Sequence, residues 1–395
     1  MSRSPVAVLG TGMTDLSRRD LTPDGMAHQA VAEALGDAGV SASDLSLVIS
    51  SNATGGRLND QGCIRGQSWL RKAGLAGVPV VNVDNSCAGG SSALHLGVMA
   101  ALTSNRPILV LGVEKMWTGN RAETLAGIED GLPADYRADM HDRFIADENP
   151  SGSVLMDLNA RWAALYMRER GATIEQVAAA AVKARRNAAL NPLAQIQQAI
   201  SLEEVLRSPQ VAGVLTRAMC SSFCDGAAAA VLAGPDAAAV DGAPRIIGSV
   251  ARSGNGAIDY HERLEETAAA AWDEFGFGPG DIDMVELHDA TSPEELYALE
   301  SLGLFAHGEA GPATLRGDTA IGGSGLTVNP SGGLVGRGHP LGATGIAQLI
   351  ELANQFRGRC GARQVRGARL GITVNTGGII EGDAAFVGIH AVAGG

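Results

Sequence analysis

Gly39–Ser50 reads G-V-S-A-S-D-L-S-L-V-I-S, and Gly276–Leu287 reads G-F-G-P-G-D-I-D-M-V-E-L. Gly39 pairs with Gly276 and Asp44 with Asp281, an offset of 237 residues in both cases. Each stretch is a glycine that can end a helix, an acidic turn and a short apolar run of strand length. Outward from them the match continues. An Ala-rich helix precedes each glycine, Met26–Ala38 in one case and Leu264–Phe275 in the other. Before each helix lies an apolar strand, V-A-V-L-G-T-G from Val6 and R-I-I-G-S-V-A from Arg245. The halves also close alike, on D-G-A-A-A-A-V-L at Asp225 and on D-A-A-F-V-G-I at Asp383. Strands alternating with helices predict an α/β protein with parallel-rich sheets covered on both faces, and the repeat predicts two pseudo-symmetric halves.

Between Trp117 and about Ala212 the first half carries roughly 95 residues that have no counterpart in the second. That is far beyond the length of a plain loop. It contains helical stretches, Val154–Arg170 and Ile174–Leu190, among charged runs such as H-D-R-F-I-A-D-E-N-P.

Two stretches carry chemistry. V-V-N-V-D-N-S-C-A-G-G-S-S-A-L-H-L-G-V-M-A-A-L, from Val80 to Leu102, reads as a short buried strand, a tight turn at Gly89 and Gly90, and a helix with Ser91 or Ser92 as its cap. This aims Cys87 at a helix N-terminus, where the macrodipole favours a thiolate. A structural cysteine in a Gly-rich turn would fit that stretch equally well. The second stretch, N-P-S-G-G-L-V-G-R-G-H-P-L-G-A-T-G-I-A-Q-L-I-E-L from Asn329, holds His339 in a loop almost bare of side chains, where an imidazole is placed for acid/base work.

The net charge of −13 argues against nucleic acid as a partner, since phosphates need a basic stripe. Five cysteines are too few and too irregular for a disulfide framework, and a reducing cytoplasm is expected. Cys220 and Cys224 have a suggestive spacing but no complementary pair, so no metal site and no bound cofactor are expected. The run Val6–Gly12 is too short for a secretory h-region, and no apolar segment reaches the roughly 20 residues of a membrane span.

N-S-C-A-G-G-S-S-A-L at Asn85–Leu94 and G-R-G-H-P-L-G-A-T-G at Gly336–Gly345, with the intervening D-G-A-A-A-A-V-L, resemble the nucleophile and histidine loops of the thiolase superfamily. The resemblance covers essentially the whole chain. It implies the thiolase fold, a five-layer α-β-α-β-α sandwich of two halves. These would be 1–117 with 213–242, and 243–395, with 118–212 as an inserted loop domain over the site. His288-Asp289 matches the H-D-C-F loop of sterol-carrier-protein-type thiolases, although Ala290 stands where that pattern has its cysteine. The family's other second cysteine, in a terminal C-x-G, is replaced by Asn375-Thr376-Gly377.

The resemblance further implies Cys87 as acyl carrier, His339 as base and His288 as the remaining catalytic group. Gly89 and Gly377 would offer oxyanion N–H groups, with Asn375 and Asp289 in support. Lys183, Arg185 and Arg186 could meet the phosphates of coenzyme A, which enters as a substrate. Trp117, Trp162 and Tyr166 could line the acyl pocket. The implied activity is an acyltransferase cleaving or forming a carbon–carbon bond at an acyl-CoA or 3-oxoacyl-CoA. The alternatives are a thiolase-fold aldolase, a CoA-independent acyltransferase, or a non-catalytic subunit paired with a small OB-fold, zinc-ribbon protein. A homodimer through the edge at Val80–Asn85 is expected.

Overall fold

The computed structural model describes residues 5–75, 77–145, 151–235 and 242–395. The part of the charged run at 146–150 and the end of the first half at 236–241 lie outside the described residues. Within them the repeat keeps its offset of 237. Helix Pro23–Ala38 corresponds to helix Tyr260–Phe275, with side-chain caps from Thr22 and Asp259. Both helices end on a left-handed glycine, Gly39 at φ 66° and Gly276 at φ 74°. The 3₁₀ turns Ala42–Asp44 and Pro279–Asp281 follow, each closed by its acidic residue.

The strands are β1 (Val6–Met13), β2 (Leu47–Ser51), β3 (Val80–Val83), β4 (Ile108–Glu114), β5 (Gln210–Ala212), β6 (Leu215–Thr216), β7 (Gly226–Ala233), β8 (Arg245–Ser253), β9 (Met284–Glu286), β10 (Thr327–Val328), β11 (Leu370–Ile380) and β12 (Asp383–Ala393). All but the β5–β6 ribbon form one ten-stranded sheet in the order β10-β9-β11-β12-β8-β1-β7-β4-β2-β3. Its two halves, β1-β7-β4-β2-β3 and β8-β12-β11-β9-β10, mirror each other. They are joined, among the described residues, by the short pairing of Val6 and Ala7 with Ile246 and Arg245.

The expected parallel-rich pairing holds only toward the ends, for β2 with β3 and β4 and for β9 with β10 and β11. The middle is antiparallel, because β7 and β12 return beside β1 and β8. The strand β3 is not buried. It has one neighbour, β2, and Val81 is 46% exposed.

Helices Gly89–Ala101 and Thr344–Phe356 lie back to back and each touches strands of both halves, so they form the middle layer. Helices Pro23–Ala38 and Tyr260–Phe275 cover the outer faces, which gives five layers. Glycine sets how close the middle pair can come. A Cβ on Gly345 would lie 2.4 Å from Ser91 N, and one on Gly90 would lie 2.9 Å from Gly342 O. The strand β7, G-A-A-A-A-V-L-A, is buried throughout, and its alanines leave room for helices on both faces.

Polar contacts also join the halves. The Glu114 carboxylate, at the end of β4, is fully buried and accepts five hydrogen bonds. Four come from Asn52, Ala53 and Thr54 after β2, and one, of 2.8 Å, comes from Gly342 N in the histidine loop. In the second half β11 turns directly into β12 through Glu381 and Gly382. At the matching place in the first half, helices Arg121–Glu129, Ala134–Ile145, Val154–Arg170, Ile174–Ala189 and Leu202–Arg207 stand between β4 and β7.

Candidate active site

Cys87 sits in a 3₁₀ turn, Ser86–Ala88, immediately before helix Gly89–Ala101. The sharp bend is made by Ser86, a non-glycine residue at φ 50°, and not by Gly89, whose φ of −55° is helical. Gly89 is needed for space instead, since a Cβ there would lie 2.3 Å from Ser51 Oγ. No side chain caps this helix. Ser91 bonds His390 at 2.7 Å, while Ser92 accepts from Asn85 Nδ2 and donates to Ala88 O. The Gly89 N–H donates to Ser86 O within the turn, so it is already engaged.

His339 arrives on the other side through a loop that requires left-handed glycines at Gly332, Gly333 and Gly338, at φ 104°, 58° and 111°. Asp289 organises this loop. Its buried carboxylate accepts from Leu334 N at 2.7 Å and Val335 N at 3.5 Å, and it contacts backbone rather than a histidine. His288 follows β9. The Cys87 sulphur and one ring nitrogen each of His288 and His339 lie within 4.8 Å of one another, and the two rings meet edge to face at 5.1 Å.

The protonation pattern of the two imidazoles follows from counting hydroxyl protons. Thr344 Oγ1 donates to Pro340 O at 3.0 Å and lies 2.7 Å from His339 Nδ1. Having spent its proton, it must accept, so His339 carries its hydrogen on Nδ1 and leaves Nε2 bare. His288 Nδ1 lies 2.8 Å from Thr376 Oγ1, which also bonds the Tyr260 hydroxyl. The phenol is the better donor, and burial keeps it protonated by pushing its pKa up. Tyr260 therefore donates to Thr376 and Thr376 donates to His288 Nδ1, which places the His288 hydrogen on Nε2. Both Nε2 atoms are buried without a protein partner.

Burial holds both rings neutral, His288 with a pKa lowered to about 4 and His339 well below the ordinary range. Burial also pushes the Cys87 thiol up to about 12, against a hydrogen bond from Ser86. Desolvation of the sulphur thus opposes the thiolate that the helix end is expected to favour. The resting pair is a neutral thiol beside a neutral base. Alkylation of Cys87 by iodoacetamide is accordingly expected to speed up about tenfold per pH unit from pH 7 to 10, followed by peptide mass spectrometry.

The three side chains open into a cavity of about 640 Å³. Its apolar wall includes Leu125, Leu155, Met156, Trp117 and Trp162, contributed by the segment between β4 and β7, and Gly377 lies at its floor. Arg19, Arg121 and Arg217 line it as well, and the Arg19 guanidinium stacks 4.7 Å from the Trp117 ring.

Several expected residues lie elsewhere. Lys183 is buried and ion-paired with Glu295 at 2.6 Å, Arg185 donates to Gln198 O, Arg186 is exposed, and none of the three lines the cavity. Tyr166 is buried against Glu300, with its hydroxyl donating at 2.8 Å. Asn375 is buried and off the cavity, with both amide atoms unpartnered. Along a strand, neighbours face opposite sides, and it is Thr376 that reaches His288.

Residues 6–236 match the family description "Thiolase, N-terminal domain", and residues 258–388 match "Thiolase C-terminal domain-like". The chain is 37% identical to an acetyl-CoA acetyltransferase of Methanothermobacter thermautotrophicus, over 94% of this chain and 96% of that protein. It is 35% identical to the benzoylsuccinyl-CoA thiolase subunit BbsB of Thauera aromatica, over 94% of each. It is 33% identical to bovine (Bos taurus) sterol carrier protein 2, over 95% of this chain and 70% of that one. Among solved structures, the fold is similar to the Ltp2-ChsH2(DUF35) aldolase, with a TM-score of 0.79, 23% identity and 99% and 98% of the two chains covered. It is also similar to human mitochondrial 3-ketoacyl-CoA thiolase in complex with CoA, with a TM-score of 0.71, 17% identity and 100% and 98% covered. Two mirrored halves, a cysteine on one, two histidines on the other and family matches in both place this chain in the thiolase superfamily.

Proposed function

We propose that the protein is a thiolase-type acyltransferase that accepts an acyl-CoA or 3-oxoacyl-CoA, carries the acyl group on Cys87 and makes or breaks a carbon–carbon bond. The observation that carries this reading is one thiol within 4.8 Å of two imidazoles, one with its Nδ1 on a threonine that has spent its proton and the other on a threonine that has not. His339 Nε2, bare, takes the thiol proton as sulphur attacks the carbonyl carbon. His288 Nε2–H donates to the oxygen on which negative charge grows, and its neutral ring needs no proton from solvent to do so. Arg19, Arg121 and Arg217 suit the phosphates of coenzyme A, and the apolar wall suits the acyl chain. Incubation with an acyl-CoA should give one equivalent of free CoA and an acyl mass increment on the Cys87 peptide. An unmodified Cys87 after full exposure would sink the proposal.

Tyr260 acts through Thr376 as a positioning residue. Tyr260→Phe removes the donor that fixes the direction of the relay, so Thr376 can accept from His288 Nδ1 as well as donate to it, and in the accepting form Nε2 carries no hydrogen. kcat is expected to fall about a hundredfold with little change in KM, as for loss of one oxyanion donor, while the acyl adduct still forms slowly.

A second reading, a thiolase-fold aldolase working with a small OB-fold, zinc-ribbon partner, is favoured by one feature. Neither family position for a second cysteine holds one, and the Cys220 thiol that lines the cavity donates to Thr216 O at 3.4 Å. A relative described as a subunit and a fold neighbour described as a complex agree with a partner. CoA-consuming cleavage of a 3-oxoacyl-CoA supports thiolysis, and CoA-independent cleavage of a 3-hydroxyacyl-CoA into an aldehyde or ketone and a shorter acyl-CoA supports the aldolase. A homodimer through the open edge of β3, where Val81 is 46% exposed, belongs to either reading.

A further inference from the structure

We propose that Cys87, His288 and His339 also form a binding site for a thiophilic divalent cation, zinc first among them, with the metal held by one sulphur and two imidazole nitrogens and the chemistry of the site reversibly blocked. Among the described residues this is the one trio of His, Cys, Asp or Glu with ligand atoms gathered this tightly, all within 4.8 Å. With Zn–S near 2.3 Å and Zn–N near 2.0–2.1 Å, tetrahedral ligand atoms stand about 3.5 Å apart, so side-chain rotation of about 1 Å closes the shell.

The outer support is in place. His339 donates its Nδ1–H to Thr344 at 2.7 Å, as metal-binding histidines donate their other ring N–H, and His288 Nδ1 lies 2.8 Å from Thr376, which can accept from it once the relay turns. Both inward Nε2 atoms are buried and unpartnered. The cavity leaves a fourth position for water. The donor set selects the metal. One sulphur and two nitrogens with no carboxylate suit zinc or cobalt and not magnesium or calcium. Glu294, which lines the same cavity, is paired with His261 at 3.1 Å.

Binding forms an S–Zn bond and releases the thiol proton to solvent, with no change of oxidation state. His288 must present a lone pair on Nε2, so the relay has to reverse, with Nδ1–H donating to Thr376 and Thr376 donating to Tyr260. In Tyr260→Phe nothing opposes that reversal. This variant should therefore bind metal more tightly while turning over more slowly. The site needs only the geometry and stands whether or not Cys87 carries acyl groups.

The test is titration of the chelator-treated full-length chain, in a Cys63→Ser background to remove the exposed thiol, with Co²⁺ and no substrate. A near-ultraviolet sulphur-to-cobalt charge-transfer band and strong visible bands should saturate at one equivalent and be abolished by Zn²⁺. His288→Gln and His339→Gln should each weaken Zn²⁺ about tenfold to a hundredfold, and Tyr260→Phe should tighten it several-fold. Absence of the band at stoichiometric cobalt, or its persistence in both Cys87→Ala and Cys87→Ser, overturns the proposal. So does indifference of zinc affinity to both histidine variants.

Discussion

Cys87→Ala is expected to lose at least about 10⁴-fold in kcat/KM for acyl transfer, because the covalent path disappears while its surroundings survive. The substitution should leave folding almost untouched. Cys87 is partly exposed at the cavity, its sulphur accepts from Ser86 Oγ at a long 3.9 Å, and alanine removes one atom. The pairing of a large kinetic loss with an unchanged denaturation midpoint separates a nucleophile from a packing residue. Retention of more than a tenth of the wild-type rate would remove Cys87 from the mechanism.

Glu114→Ala should do the opposite, with a stability loss of about 4 kcal/mol or more. Five donors, four of them in buried bonds, would lose this acceptor; an unpaired buried group costs about 1–3 kcal/mol, and Asn52 Nδ2 keeps its second bond to Val113 O. Burial pushes the Glu114 carboxyl pKa up, and the donors from Thr54, Ala53 and Gly342 oppose that shift. Glu114→Gln keeps the shape but turns an amide NH₂ toward N–H donors, so it should recover only part of the loss. Urea denaturation of the three proteins, with midpoints compared at equal slopes, measures this. A Glu114→Ala midpoint equal to wild type would mean that this carboxylate does not hold the halves together.

The architecture was legible because the repeat is arithmetic. Gly39 with Gly276, and Asp44 with Asp281, mark the same turn twice, and helix boundaries repeat without a slip. Cys87 and His339 were legible because glycine clusters around a reactive side chain reflect close approach, which the 2.3 Å clearance at Gly89 bears out as packing rather than turning. The partners that set the histidines' tautomers were not legible. Thr344, Thr376 and Tyr260 are ordinary residues whose importance arises only when separate strands and loops meet. Asn375 stands at a motif position one residue from Thr376, and strand alternation decides which of the two reaches the site. Lys183, expected at the phosphates of coenzyme A, lies instead on the buried face of its helix, where Glu295 pairs with it.

The glycine seam between the two middle helices has a consequence for how such a chain matures. During synthesis the segment bearing Cys87 emerges long before Gly342 and Gly345, and until those residues arrive nothing fixes the thiol opposite an imidazole. A half-made or half-unfolded copy thus lacks the base and the oxyanion donor that turnover requires. Catalytic competence reports that the whole polypeptide has been completed and closed.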